Sequence, residues 1–154
     1  MGRTRDLYFE HGRALAAISP KVVVKVPTTV EGVAAAARLG RQGVRLTMTA
    51  VYTAAQALIA SALRADYAAP YLGRMNDAGH DGFRQIAAMA RMAREQGSGT
   101  RILVASMRHP GDVVRLANEG LDTFTFSPKL AAEFFTDEAS AQIVEAFEAA
   151  AELQ

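Results

Sequence analysis

At 154 residues the chain has the length of one domain and can bury a sizeable core. A net charge of +1 with 21% charged residues argues against nucleic acid or a membrane surface as its main partner. The absence of cysteine excludes a disulfide scaffold, a thiolate nucleophile and a thiol zinc site, and fits a cytoplasmic protein.

Met1-Gly2-Arg3-Thr4-Arg5-Asp6 lacks the apolar core of a leader, and no apolar run reaches membrane-spanning length. Residues 5–18 are expected to be helical and to end at Ser19-Pro20. Lys21-Val22-Val23-Val24-Lys25-Val26-Pro27 follows, and a β-branched run this dense reads as a strand buried on both faces. Alternation sets Val22, Val24 and Val26 on one face, with Val23 and Lys25 on the other. Pro27 ends the strand, because it offers no ladder N–H.

Thr28-Thr29 caps a helix over 30–42, with Glu31 in its first turn and Gly43 closing it. Residues 44–49 form a second strand and 53–65 the next helix. Residues 67–71 make a short third strand, 73–81 a polar loop and 82–96 a helix. Gly97-Ser98-Gly99 breaks that helix before a fourth strand over 101–106. Pro110 opens a helix ending near Gly120, and residues 123–127 form a fifth strand. Pro128 opens a short helix, and 137–153 is the terminal one.

This alternation means βα units on a parallel sheet in a single domain, 1–154. Strand count alone suggests an open sheet of the flavodoxin type. The strand faces favour a barrel: Arg45, Thr47 and Thr49 oppose Leu46 and Met48, and Thr123, Thr125 and Ser127 oppose Phe124 and Phe126. One apolar and one polar face per strand suits a (β/α) barrel, whose helices cover the outside and whose site lies at the C-terminal rim.

Lys25, Thr49, Tyr71, Ser106 and Ser127 stand at the strand ends, with Arg74 and Arg108 in the loops beyond. Two readings of Lys25 fit: an amine that snorkels or pairs with a carboxylate, or a nucleophile whose pKa burial lowers. The arginines and Ser106 can hold a phosphate, and Thr49 or Tyr71 can position a water or relay a proton. Taken singly, the arginines read as solvated charges, Tyr71 as a packed aromatic and Ser106 as a turn cap. Asp77, His80 and Asp81 are better explained by turn chemistry than by a metal, and Gly97-Ser98-Gly99 is on the wrong side of the sheet to cradle a phosphate. His11 and His109 have no partner readable from sequence. No cofactor or metal is implied.

Five stretches together resemble the transaldolase and fructose-6-phosphate aldolase family. They are Val23-Val24-Lys25-Val26-Pro27-Thr28-Thr29-Val30-Glu31-Gly32, Thr49-Ala50-Val51-Tyr52-Thr53-Ala54-Ala55-Gln56, Ala69-Pro70-Tyr71-Leu72-Gly73-Arg74, Gly79-His80-Asp81-Gly82 and Val104-Ala105-Ser106-Met107-Arg108-His109-Pro110. The resemblance runs from about His11 to the terminal helix, with the motifs in the family's order. It implies an eight-stranded (β/α) barrel with a Schiff-base lysine on the fourth strand, here Lys25. Thr49 would match the threonine that holds the catalytic water, Arg74 and Ser106 the groups on the sugar phosphate, and Arg108 a neighbouring phosphate-binding position. Tyr71 and Ala69 resemble the aldolase branch, whereas the Gly73-Arg74-Met75-Asn76-Asp77-Ala78-Gly79-His80-Asp81-Gly82 stretch resembles the small transaldolase-like proteins. By the same resemblance the partner is a sugar phosphate and the chain a homo-oligomer.

The family's first three strands carry further site residues, and this chain begins just before the lysine strand. The expectation is therefore a partial barrel of about five of eight βα units, strands four to eight, since a full one takes at least ~200 residues. The function expected is a Schiff-base aldolase or transaldolase of carbohydrate metabolism. The alternatives are an impaired fragment or interaction module that needs a partner chain, and a flavodoxin-type binding domain.

Overall fold

The computed structural model describes residues 4–151. Along them run α1 (Arg5–Ala16), β1 (Val24–Pro27), α2 (Val30–Arg41), β2 (Leu46–Val51), α3 (Ala54–Ala62), β3 (Tyr67–Pro70) and α4 (Leu72–Asp77). Then come α5 (Gly82–Glu95), β4 (Arg101–Val104), α6 (Pro110–Asn118), β5 (Thr123–Phe124), α7 (Pro128–Glu133) and α8 (Glu138–Ala151). The last two residues of the helix expected over 137–153 lie outside the described residues, as do Met1, Gly2 and Arg3. Helix starts follow from local chemistry. Thr4, Thr29, Thr53, Asp81 and Ser127 each precede a helix, and each side-chain oxygen accepts a hydrogen bond from the N–H three residues on.

The strands lie in one parallel sheet in chain order, β1-β2-β3-β4-β5. A doubly wound sheet of the flavodoxin type would reverse direction at its second strand, giving order 2-1-3-4-5. With every strand added on the same side, right-handed crossovers place all the connecting helices on one face. This is the winding of a (β/α) barrel, here five βα units of it, as the strand faces predict.

The register shows what each face does. Val24 pairs with Leu46, and Val26, Met48, Ala68 and Ile102 run in one row across four strands. These residues are buried together with Ala35, Ala36, Leu39, Ile86 and Met89 from the helices, and that layer is the core. A second row, Lys25-Thr47-Tyr67-Arg101, lies on the opposite face.

Four sequence expectations need correction. The valine strand is not buried throughout: Val24 and Val26 are buried whereas Lys25 is exposed, although Thr47, beside it in the same row, is buried. Val22 and Val23 precede the strand. Residues 73–81 are not simply a loop, since they contain most of α4, in which Leu72 and Met75 are fully buried one helical turn apart. Gly73, Asn76 and Asp77 masked that spacing. β5 is only Thr123–Phe124, so Thr125 and Ser127 lie beyond it. No described helix is long and apolar enough to cross a membrane.

At the N-terminal ends of β2 and β3, Asp66 accepts hydrogen bonds from Arg45 Nε at 2.8 Å and Leu46 N at 2.9 Å. Burial alone would raise this carboxyl's pKa, but the bonds from Arg45 and Leu46 outweigh it and hold Asp66 below the ordinary range. A carboxyl so depressed stabilises the fold fully above its unfolded value, about 3.9, and loses that contribution as pH falls through the folded value. Asp66→Asn should therefore lose less stability than the parent between neutral pH and about pH 3, read from urea midpoints. An equally steep acid loss in both proteins would sink this assignment.

Gly32 meets β1 more closely than any side chain allows. A Cβ there would lie 2.0 Å from the carbonyl oxygen of Pro27. Alanine in place of a helical glycine ordinarily stabilises by about 0.5–1 kcal/mol. Here Gly32→Ala should instead destabilise by about 1–3 kcal/mol, because backbone has to move. Gly111→Ala, with nothing within 4 Å, is the control and should be neutral or mildly stabilising. Matching denaturation midpoints for the two variants would refute the clash.

Candidate active site

The C-terminal end of β1 is fastened to β2 by one residue. Thr28 donates both its N–H and its hydroxyl to the carbonyl of Thr49, each at 2.9 Å. Thr29 caps α2, so the two threonines after Pro27 have separate jobs. Immediately past Thr49 the ladder carries an extra residue: Thr49 pairs with Ala69 and Val51 with Pro70, leaving Ala50 unmatched at φ +55. This is a β-bulge at a strand end, a device that re-aims neighbouring side chains.

Tyr71 is the hub of the site. It forms an isolated bridge to Ala105 where β3 hands over to α4. Its hydroxyl shares a 2.5 Å hydrogen bond with Thr49 Oγ1. Lys25 Nζ lies 5.9 Å and Arg74 Cζ 5.0 Å from its ring centroid. Tyr52 meets the ring edge-on at 6.1 Å. Lys25, Thr49, Tyr71 and Arg74 are thus brought together around the Tyr71 ring, with Arg74 on α4 and not in the loop expected for it.

Ser106 and Arg108 form the adjoining part. The N–H of Gly73 donates to the Ser106 carbonyl at 2.9 Å. A Cβ on Gly73 would sit 2.5 Å from that oxygen and 2.9 Å from Arg108 Nε. Glycine is required for α4 to lie against this loop, and Ser106 itself takes φ +61. Arg108 pairs with Asp77 of α4, whose hydrogen bond and charge hold the guanidinium above its ordinary pKa. Arg108 is therefore not a free loop charge, as a reading of it alone would suggest. Among the described residues Lys25 and Arg74 have no carboxylate within ion-pair distance.

Ser127, the remaining strand-end residue, caps α7. Asp81 caps α5, and Asn76 accepts from Gly82 N at 3.0 Å, so the Asn-Asp-Ala-Gly-His-Asp-Gly stretch is spent on helix ends. No described group of His, Asp or Glu is placed to hold a metal ion. Sequence reasoning missed Thr28, Tyr52, Gly73 and Asp77. A second threonine beside a cap that needs one was the available signal for Thr28. Nothing local marked Asp77, whose partner is 31 residues away.

A family model described as Transaldolase/Fructose-6-phosphate aldolase matches residues 3–154. A protein named "Probable transaldolase" from Geobacillus sp. (strain WCH70) is 37% identical over 138 residues, 90% of this chain and 65% of the relative. One of the same name from Thermus thermophilus is 42% identical over 74% of this chain and 51% of the relative. Another, from Roseiflexus sp. (strain RS-1), is 42% identical over 78% of this chain and 55% of the relative. The chain spans between half and two thirds of these relatives' length.

The Thr49–Tyr71 bond is measurable. Thr49→Val and Tyr71→Phe should each cost about 0.5–1.5 kcal/mol of stability, since each leaves a part-buried hydroxyl without its partner. The double variant should cost less than the sum, with a coupling energy of about 1 kcal/mol. Strict additivity in the cycle would show that the bond contributes nothing.

Proposed function

The chain belongs to the transaldolase/fructose-6-phosphate aldolase family, and from that premise we propose that its site performs Schiff-base chemistry on a ketose phosphate. The observation that supports this reading is that two cations without carboxylate partners, Lys25 and Arg74, both lie near the ring of Tyr71, whose hydroxyl is bonded to Thr49. An amine for a carbonyl and a guanidinium for a phosphate are the two recognition elements such a substrate needs.

Lys25 Nζ attacks the ketone carbon, and loss of water leaves an iminium. The bond between the third and fourth substrate carbons then breaks, its electrons passing into the iminium to give an enamine of dihydroxyacetone. The proton of the fourth-carbon hydroxyl leaves as the aldehyde forms. The Thr49–Tyr71 pair holds the water and relays this proton. Arg74 and Ser106 hold the phosphate, while Arg108, tied to Asp77, offers further N–H donors beside them. Water releases the dihydroxyacetone unit in an aldolase, whereas an acceptor aldose phosphate takes it in a transaldolase. Fructose 6-phosphate is the proposed donor, in cytoplasmic pentose phosphate and carbohydrate metabolism, with the chain working in a homo-oligomer.

One observation favours a second reading, that the chain keeps the site residues without turnover. Lys25 is exposed in the structure. Desolvation is one of the means by which a lysine becomes nucleophilic.

Borohydride trapping separates the two. The chain is incubated with fructose 6-phosphate or dihydroxyacetone, reduced, and mapped by mass spectrometry. The expected product is a single adduct on Lys25 that disappears in Lys25→Met. Labelling scattered over Lys21 and Lys129 as well, or no adduct, would discard the catalytic reading in favour of the second.

A further inference from the structure

At the N-terminal ends of the strands, opposite the site above, the seam beside α5 is open. A cavity of about 450 Å³ lies there, walled by Ala90, Ala93, Ile102 and Leu121. Its volume falls within the roughly 300–1,000 Å³ usual for small-molecule sites.

Three features give the cavity a chemical character. Arg94, in the last turn of α5, lines it and has no carboxylate partner among the described residues. Gly120 faces that guanidinium at φ +82, and a Cβ there would sit only 3.1 Å from Arg94 Nη1. Thr100 also lines the cavity; it is 6% exposed, and its hydroxyl is buried with no hydrogen-bond partner among the described residues. Arg101 adds little net charge, because Asp122 neutralises it at 3.3 Å.

We propose that this cavity binds a small monocarboxylate with a short apolar body. Arg94 takes the carboxylate by charge-assisted hydrogen bonds, and the alanines with Ile102 and Leu121 take the body. One unpaired guanidinium matches one negative charge. With Arg101 and Asp122 neutralising each other, the cavity offers no second free cation for a doubly charged anion such as a phosphate ester. The inference does not depend on the reaction proposed above.

Benzoate is the probe and benzyl alcohol its neutral counterpart, titrated into the ¹⁵N-labelled full chain. Benzoate should give saturable millimolar shifts at the amides of Gly97, Gly99, Gly120 and Leu121. Arg94→Gln should weaken binding about tenfold or more, the usual consequence of losing a charge-assisted bond. Arg91→Gln, one turn back on the same helix, should change nothing, and unperturbed peaks elsewhere would show that both variants fold. Equal binding of benzyl alcohol would mean a merely apolar hole and overturn the proposal. So would equal weakening by Arg91→Gln, or the absence of saturable shifts at those amides.

Discussion

The strand ends depend on one carbonyl. Thr49 O accepts two hydrogen bonds from Thr28, at 2.9 Å each, and so fixes the end of β1 against β2. The same residue's hydroxyl reaches Tyr71, and Tyr71 hands over to α4, whose second residue is pinned to the Ser106 carbonyl. Lys25, Thr49, Tyr71, Arg74 and Ser106 are therefore positioned by one connected set of contacts. Gly32 and Gly73 make that set possible by admitting backbone oxygens where a Cβ would collide.

Both ends of the sheet carry paired and unpaired cations, and at the N-terminal ends Arg94 is among those without a carboxylate partner in the described residues. At the N-terminal ends Arg45 pairs with Asp66 and Arg101 with Asp122. At the C-terminal ends Lys25 and Arg74 have no such partner among the described residues, and the nearby carboxylates are engaged elsewhere. Asp77 holds Arg108, and Asp112 Oδ2 accepts the N–H groups of Arg108 and His109. Unpaired cations at the C-terminal rim of a near-neutral chain leave local positive potential there without the chain as a whole being basic.

Much of this was legible in the sequence because it is local. The Thr29 cap acts within three residues, and the one-sided polarity of residues 44–49 reports which way a strand faces. Strand order and the convergence on Tyr71 followed from those faces once the winding was taken as a barrel. The failures have a common cause. Burial of the valine run depends on what lies across the sheet, and sequence composition is silent on that. The helix around Leu72 and Met75 was hidden by glycine and asparagine that serve close approach and capping instead of a turn. Asp77 and Thr28 act on residues far along the chain, and no spacing rule reaches them.

Backbone strain separates the functional rim from the rest. A non-glycine residue in the left-handed region costs roughly 1–2 kcal/mol. Three described residues adopt it: Ala50, Arg64 and Ser106. Arg64 lies just after α3, where its N–H bonds back to Ser61, and left-handed geometry is the ordinary way to end a helix. Ala50 and Ser106 have no such excuse, since Ala50 is the bulge residue within β2 and Ser106 lies just past β4. Each is held in place by ordered neighbours, the resumed pairing of Val51 with Pro70 in one case and the Gly73 N–H in the other. Strain of this kind persists only where the surroundings over-determine it, and it clusters at working sites. Here it falls on the residue after Thr49 and on Ser106 itself, on the two strands that flank β3 and Tyr71. The geometry that sets the site is thus maintained against the local preference of the chain.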